Sequence, residues 1–525
     1  MKDFLVRRRF LVVLIVILLL SAVLRFYNLG EKSFSADEFL GVNTSYGYLQ
    51  TGEWRRWDFN LEKPFEDNEY FKTFFDFDFW GDGEDTYTRA WVYNWQVAQT
   101  LRMLPDSQEW SYRVVSVVWG ILSVILIYLI SFKFTGNKVI GIIASFLMAL
   151  SLDGIIFSRM MRMYAMFMSI FLIFSYVAFN FFESKIKTKW ELINKLNAKT
   201  GLNFLFFIPL IILGLLSMHV HLLTANFIFV ALIYFILMAI LQFKTTKNFF
   251  NHYVFYSGLG ILMTIILFSN DNALTSSLGW QNHYSYLNKS FFDYSNWFLA
   301  GALIILGSYY LIKNKQREGV FIVSSYTVIL FLAMFFWDRN VGAQYLFFIK
   351  PFQIMLIATG VWWVAIFLHD NLKAYNREIY LSSIVLILIM LINFGYFFQA
   401  DNPYNQTSQS ENPNYKKVFG YVLAHKGPDD VLVTRAFRNF YWQGSKIRVF
   451  SMGGERATDD EKKITLEKLN EIMKNNPSGW IVYSDNDENF ISKDAQKYID
   501  KNLIKINNLQ TKGPINVYHW AVAGK

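Results

Sequence analysis

Two adjacent carboxylates stand in the stretch SFSADEFLGVNTSYG, which begins at Ser33, just after the first long apolar run of the chain ends. A carboxylate at the water-facing end of a membrane helix can take the proton from a hydroxyl too weakly acidic to attack carbon unaided, while a second carboxylate orients that acceptor or a metal ion. Asp37 is the expected base and Glu38 its companion. An acidic pair in a loop is ordinary by itself, so the reading needs a group that stabilises developing negative charge. The stretch FSRMMRMY supplies Arg159 and Arg162, followed by Tyr164. Arginine presents a planar, permanently charged fork that fits phosphate, and preorganised cations facing a leaving phosphate lower a transfer barrier. Taken singly, either arginine suits snorkelling to lipid headgroups equally well.

The elements that must position these residues follow from composition. Of the 525 residues, 54% are hydrophobic, 19% aromatic and 17% charged. The apolar residues fall in blocks near 10–27, 111–132, 138–157, 163–182, 202–218, 220–242, 250–269, 294–312, 320–337, 345–367 and 379–399. Blocks of about twenty residues match the bilayer core, so about eleven transmembrane helices are expected. Arg159 and Arg162 divide the third block from the fourth, because an arginine at a bilayer centre costs about 2.5–3.5 kcal/mol. The net charge of +9 does not indicate nucleic acid, since the lysines and arginines lie mostly in short loops between apolar blocks. There they act as orientation signals. With Arg7, Arg8 and Arg9 in the cytoplasm, alternate crossings also place Lys185, Lys187, Lys189, Lys195, Lys244, Lys247, Lys313, Lys315, Arg317, Lys373 and Arg377 inside. The opposite face receives the segment 28–110, the arginine turn, SMHVH, residues 270–293 and everything after Asp401. The basic, apolar N-terminus has no small-residue cleavage site after it and reads as an uncleaved first helix. The chain contains no cysteine, hence no thiolate chemistry or disulfide.

Beyond residue 401 the pattern changes. VLVTR, IRVF, WIVYS and INVYHW read as short strands and DDEKKITLEKLNEIM as an amphipathic helix, which together predict a soluble α/β domain. The fold class expected is therefore an α-helical polytopic membrane protein with a C-terminal extracytoplasmic α/β domain. The expected division is 1–400 for the membrane catalytic domain, with 28–110 as its first external loop, and 401–525 for the tail.

Other polar constellations carry weaker signals. His219 and His221 in SMHVH face the same side only if the turn is extended; on a helix they diverge by about 200°. Two interfacial histidines without a metal are the simpler reading. Asp76, Asp78, Asp82, Glu84 and Asp85 are dense, yet their spacing does not match a calcium loop. Asp153 and Asp338 lie near helix ends at the external face, where a local arginine can pair with them.

SADE after the first helix, YTRAWVYNWQVAQTLRMLPDSQEWSYRVVSVVWGILSVILIYL, IIFSRMMRMYAMFMSIFLIFSYVAF and QYLFFIKPFQIMLIATG, in that order, resemble the GT-C superfamily of polyprenyl-phosphate-sugar-dependent glycosyltransferases. Within it they are similar to the branch of protein O-mannosyltransferases and lipid A aminoarabinose transferases. The likeness covers residues 10 to 368. It implies that Asp37 is the general base on the acceptor, with Glu38 beside it, and that Arg159, Arg162 and Tyr164 line the donor side. Tyr345 and Pro351 resemble a late motif whose usual arginine is Gln344 here, which leaves Arg339 to supply that charge. Relatives carry a lysine or histidine in the first external segment, which implies Arg89 as a phosphate contact by its register to EWSYR, with Lys63 as second choice. Some relatives bind a divalent ion, which implies a metal site using Glu38 or Glu62 with His219 or His221.

The function implied is transfer of a sugar from a polyprenyl-phosphate donor to an acceptor hydroxyl or amine on a protein, lipid or glycan, at the outer face of the plasma or inner membrane. Expulsion of polyprenyl phosphate in one displacement inverts the anomeric carbon. No nucleotide is needed there, in keeping with a sequence free of glycine-rich phosphate loops. The alternative is a transporter or lipid flippase with an external domain. That reading calls for charge at the bilayer midplane, and the polar groups here collect at block ends.

Overall fold

Among the described residues the apolar blocks fold mainly as helix. A computed structural model of the chain describes residues 9–55, 57–59, 63–64, 90–247, 251–268, 278–338, 341–372, 377–393, 403–404, 414–435, 447–450, 452, 463–484, 490–507, 509 and 515–521. Seven helices are long and apolar enough to cross a membrane: Arg9–Phe26, Glu109–Thr135, Tyr164–Glu183, Leu222–Thr246, Trp297–Asn314, Gln316–Phe335 and Phe347–Asn371. Two broken pairs bring the number to nine, Lys138–Leu150 with Leu152–Ser158 bent by 58° and Glu191–Thr200 with Phe204–Val220 bent by 111°. His252–Ile266 and Ile379–Ile392 are apolar but shorter. The eleven expected crossings are thus seven to nine among the described residues. The two shorter apolar helices end within two residues of where their described segments end.

The chain divides into two compact units, residues 1–27 with 114–398, and residues 28–113 with 399–525. The first external segment, residues 28–113, falls in the same unit as the tail.

In the first unit the Lys350–Leu372 helix packs against Trp297–Asn314 on one side and Lys138–Leu150 on another, and Arg9–Phe26 packs on Lys138–Leu150. Gly307 and Gly360 make the first of these contacts close. A Cβ on Gly307 would collide with the carbonyl of Leu356, and one on Gly360 with the carbonyl of Leu303. Small residues that let two backbones approach are the usual basis of helix association in lipid. Phenylalanines make many of the interior ring contacts; Phe171, for instance, meets Phe348 edge-on at 4.7 Å between centroids.

The second unit holds two sheets. Strands β1 (Trp57–Asp58) and β2 (Lys63–Pro64) form a small antiparallel pair. Strands β3 (Val431–Thr434), β4 (Val449–Phe450), β5 (Ser478–Ser484), β6 (Ile504–Lys505) and β7 (Ile515–Ala521) form a sheet of order β4-β3-β5-β7-β6. Its β4, β3 and β5 are parallel and β7 and β6 antiparallel. The four predicted strands and the helix, Leu466–Asn475, are all present. Alternate residues serve opposite faces. Leu432 and Trp480 pack with Val418, Phe419 and Val422 of the Tyr415–His425 helix, whereas Val431, Val433 and Ile481 pack with Leu469, Ile472 and Ile499. Phe59 joins the first of these cores, which ties the segment after the first span to the tail domain.

Asp430 fixes the entry to β3. Its carboxylate accepts from Ser478 Oγ, from Trp480 Nε1 at 2.7 Å and from the Gly427 amide at 2.9 Å. Burial alone would raise its pKa, but these donors together with nearby His519 hold it below the ordinary aspartate value. The stabilisation is present above the unfolded-state value of about 3.9 and disappears as pH falls through the lower folded-state value. Hydrogen exchange in the 478–484 amides of the intact protein is expected to be slower than in Asp430→Asn above about pH 4, with the difference vanishing at more acidic pH.

Candidate functional site

The helix Ala36–Thr51 begins at the acidic pair, and its first turn separates the two carboxylates. Asp37 is exposed, whereas Glu38 is 2% exposed. Glu38 turns back on the helix start, where Oε2 accepts from the Ser35 amide at 2.8 Å. It also pairs with Arg113, whose Nε lies 2.9 Å from Oε1 and whose Nη2 lies 3.0 Å from Oε2. The remaining donors of Arg113 reach the carbonyls of Leu29, Lys32 and Ser33 at 2.8–3.2 Å. A guanidinium has five N–H groups, and every one here has an acceptor. The Phe34 ring covers the group, its centroid 5.1 Å from Cζ. Arg113 therefore holds the chain between the first span and the acidic helix, and the Glu38 carboxylate is engaged in that clamp. Nearby, Asn43 fixes β1 by exchanging two bonds with the Trp57 main chain, at 2.6 and 2.9 Å.

The arginine turn belongs to the other unit. It joins the short helix Leu152–Ser158 to the Tyr164–Glu183 span, as the two arginines required. Arg159 is buried, and its Nη1 donates to the carbonyls of Arg25 and Tyr27 at 2.9 and 2.5 Å, closing the C-terminal end of the first span. Arg162 lies over the Tyr164 ring with Cζ 5.5 Å from the centroid, and its Nη2 donates to the Tyr164 hydroxyl at 3.4 Å. Tyr164 packs edge-on to Phe157, which also meets Phe347 at 4.9 Å. Phe347 lies two residues beyond the turn Ala343–Tyr345, so half-buried Tyr345 is carried by a segment that packs at the same helix break.

His219 is exposed in the last turn of Phe207–Val220, and His221 follows in extended conformation. The His221 ring stacks on Phe167 at 4.9 Å, and its Nδ1 accepts from the Leu223 amide at 3.2 Å. SMHVH thus ends one helix, with a short 3₁₀ turn before the next. Among the described residues no three of His, Asp or Glu come together as a metal site. Glu62, Arg89, Arg339 and the side chain of Lys63 lie outside the described residues.

Sequence reasoning missed a buried cluster beside the arginine turn. Lys350 Nζ lies 3.3 Å from Asp153 Oδ2 and 3.1 Å from Asp293 Oδ2, and donates to the Ser290 carbonyl at 3.2 Å. Asp293 accepts in turn from Ser151 Oγ at 2.5 Å and from the Asp153 amide at 2.7 Å. Asp153 pairs with this lysine rather than with an arginine. The cluster clamps the break at Ser151, from which the short helix leads to Arg159. Arg25 makes a second such clamp, donating to the carbonyls of Met148 and Ala149 at 3.2 and 3.1 Å and to Ser158 Oγ at 3.2 Å. The signal available in the sequence was cost: a lysine or arginine inside an apolar block needs a partner.

Across solved structures, the architecture matches ArnT from Cupriavidus metallidurans in the apo state, with a TM-score of 0.53, 10% identity and 100% of both chains covered. It matches the same protein bound to undecaprenyl phosphate over 98% of each chain, with a TM-score of 0.52 and 10% identity. A third match is the oligosaccharyltransferase AglB from Archaeoglobus fulgidus, in complex with an inhibitory peptide and a dolichol-phosphate. Its TM-score is 0.52 and its identity 11%, over 92% of this chain and 70% of that one. The chain has the GT-C fold. No family model and no curated protein sequence matches it. The resemblance expected from sequence is borne out at the level of the fold, and the chain is an integral membrane protein.

The two acids are expected to separate in a stability measurement. Glu38→Gln leaves Arg113 buried without its counter-charge and lowers unfolding stability by about 3–5 kcal/mol, whereas Asp37→Asn, at an exposed carboxylate, is expected to cost less. Equal losses from the two substitutions would contradict the role of Glu38 in that clamp.

Proposed function

We propose that the chain transfers a sugar from a polyprenyl-phosphate donor to an acceptor hydroxyl or amine, on the extracytoplasmic side of the membrane and with inversion at the anomeric carbon. The observation that carries this reading is the fold match along almost the entire chain to ArnT solved with undecaprenyl phosphate bound. Within the chain, the exposure of Asp37 supports it as the base, because a group that receives a proton from an acceptor has to be reachable. The acceptor oxygen or nitrogen gives its proton to Asp37 and bonds to the anomeric carbon. The bond from that carbon to the phosphate oxygen breaks, and polyprenyl phosphate leaves with the electron pair. Arg162, Tyr164 and Tyr345 are assigned to the donor side, where cationic and phenolic donors stabilise the departing phosphate. Arg159 fixes the turn that carries Arg162.

The direct test is release and transfer of label from a radiolabelled polyprenyl-phosphate sugar by the purified protein. Asp37→Asn is expected to slow transfer by about 100- to 10,000-fold while donor binding persists; normal turnover in that variant would remove the assignment of the base. Arg162→Ala is expected to weaken donor binding instead.

Sidedness is testable because the chain has no cysteine of its own. A membrane-impermeant thiol reagent applied to intact cells is expected to label Asn288→Cys and to reach Lys244→Cys only after permeabilisation. The reverse pattern would place the proposed chemistry in the cytoplasm.

A further inference from the structure

Residues 184–203, between the Tyr164–Glu183 span and the apolar Phe204–Val220 segment, take no part in sugar transfer as proposed above. Their backbone is nevertheless tightly built. Asn194 Nδ2 donates to the Thr188 carbonyl at 2.8 Å and its Oδ1 accepts from the Thr188 amide at 3.0 Å. Asn203 Nδ2 donates to the carbonyls of Ser184 and Ile186 at 3.0 and 2.9 Å, and Asn197 Oδ1 accepts from the Phe204 amide at 2.9 Å. Gly201 ends the Glu191–Thr200 helix with φ +78°, and Tyr256 donates to the Thr200 carbonyl at 3.0 Å.

With those polar groups satisfied, the side chains left at the surface are of two kinds. Ile186, Trp190, Leu192 and Leu196 are 55%, 70%, 71% and 38% exposed. Leu192 and Leu196 are four residues apart and share one helix face. Lys185, Lys187, Lys189, Lys195 and Lys199 are exposed around them, and Glu191, paired with Lys195 at 2.8 Å, is the one acid among residues 184–200. The Glu191–Thr200 helix turns 111° away from the apolar helix that follows, so it runs across the direction of the spans. Because apolar helices enter and leave it directly, it is anchored at a bilayer surface, where an amphipathic helix with lysine flanks buries its apolar face at the headgroup boundary.

We propose that residues 184–200 form a docking surface for anionic lipid in the adjoining leaflet. The four apolar side chains enter the boundary between headgroups and acyl chains, and the lysines pair with headgroup phosphates. Charge complementarity and continuity with the spans favour lipid over a protein partner. The inference does not depend on the transferase reading, and its test does not measure transfer.

The full-length protein is placed in nanodiscs of phosphatidylcholine alone or of phosphatidylcholine with phosphatidylglycerol. It carries a spin label at Leu192→Cys or, on the opposite helix face, at Ala198→Cys. In the mixed discs the Leu192 label is expected to be protected from a water-soluble relaxant and accessible to oxygen, with the Ala198 label in water. Replacing Lys185, Lys187 and Lys189 by Gln is expected to return the Leu192 label to water. The same replacement should reduce phosphatidylglycerol affinity in native mass spectrometry at least tenfold, since each lysine near an anionic surface contributes roughly fivefold. Equal water access for the two labels in mixed discs would overturn the proposal. So would protection that ignores lipid charge and the lysine substitutions but varies with protein concentration, which would identify a second copy as the cover.

Discussion

A cation enclosed in a helical membrane protein must find an acceptor for each of its donors, and here the acceptors are main-chain carbonyls at the places where helices stop. Arg25 serves the end of Lys138–Leu150, Arg159 the end of the first span, Arg113 the chain leaving that span, and Lys350 the end of Ser285–Ser290. The last four carbonyls of a helix lack intrahelical partners and carry partial negative charge, so a buried guanidinium or ammonium satisfies both groups at once. These clamps sit where helices end, and the break after Leu152–Ser158 carries Arg162 and Tyr164.

The same constraint sorts functional candidates from structural ones. Arg113 has all five donors engaged, and Nη1 of Arg159 holds two carbonyls at the end of the first span. Within the acidic pair, neighbours in sequence have opposite environments because the first helical turn points one inward and one outward. Two adjacent residues on a helix are about 100° apart, enough to separate a buried ion pair from an exposed carboxylate.

Features encoded over short stretches were legible in the sequence. Apolar blocks gave the helices, alternating β-branched and aromatic residues gave β3, β4, β5 and β7, and Arg159 with Arg162 gave the turn between spans. Long-range pairings were not legible. Glu38 meets Arg113 across 75 residues and Asp153 meets Lys350 across 197, and no local pattern links either pair. The break at Ser151 was not legible because VIGIIASFLMALSLDGIIFS reads as one predominantly apolar block despite Ser151 and Asp153. The grouping of residues 28–113 with the tail depends on contacts such as Phe59 with the sheet core, which composition does not encode.

The paired glycines at 307 and 360 limit how the chain can vary. Since each lies where the facing backbone occupies the space of a methyl group, even the smallest side chain would wedge the two helices apart. The lipid-facing side of the same helix, with Ile305 70% exposed, has no such neighbour. Substitution tolerance along one span should therefore alternate sharply around its circumference, and the positions that admit least change are ones with no side chain and no chemistry of their own.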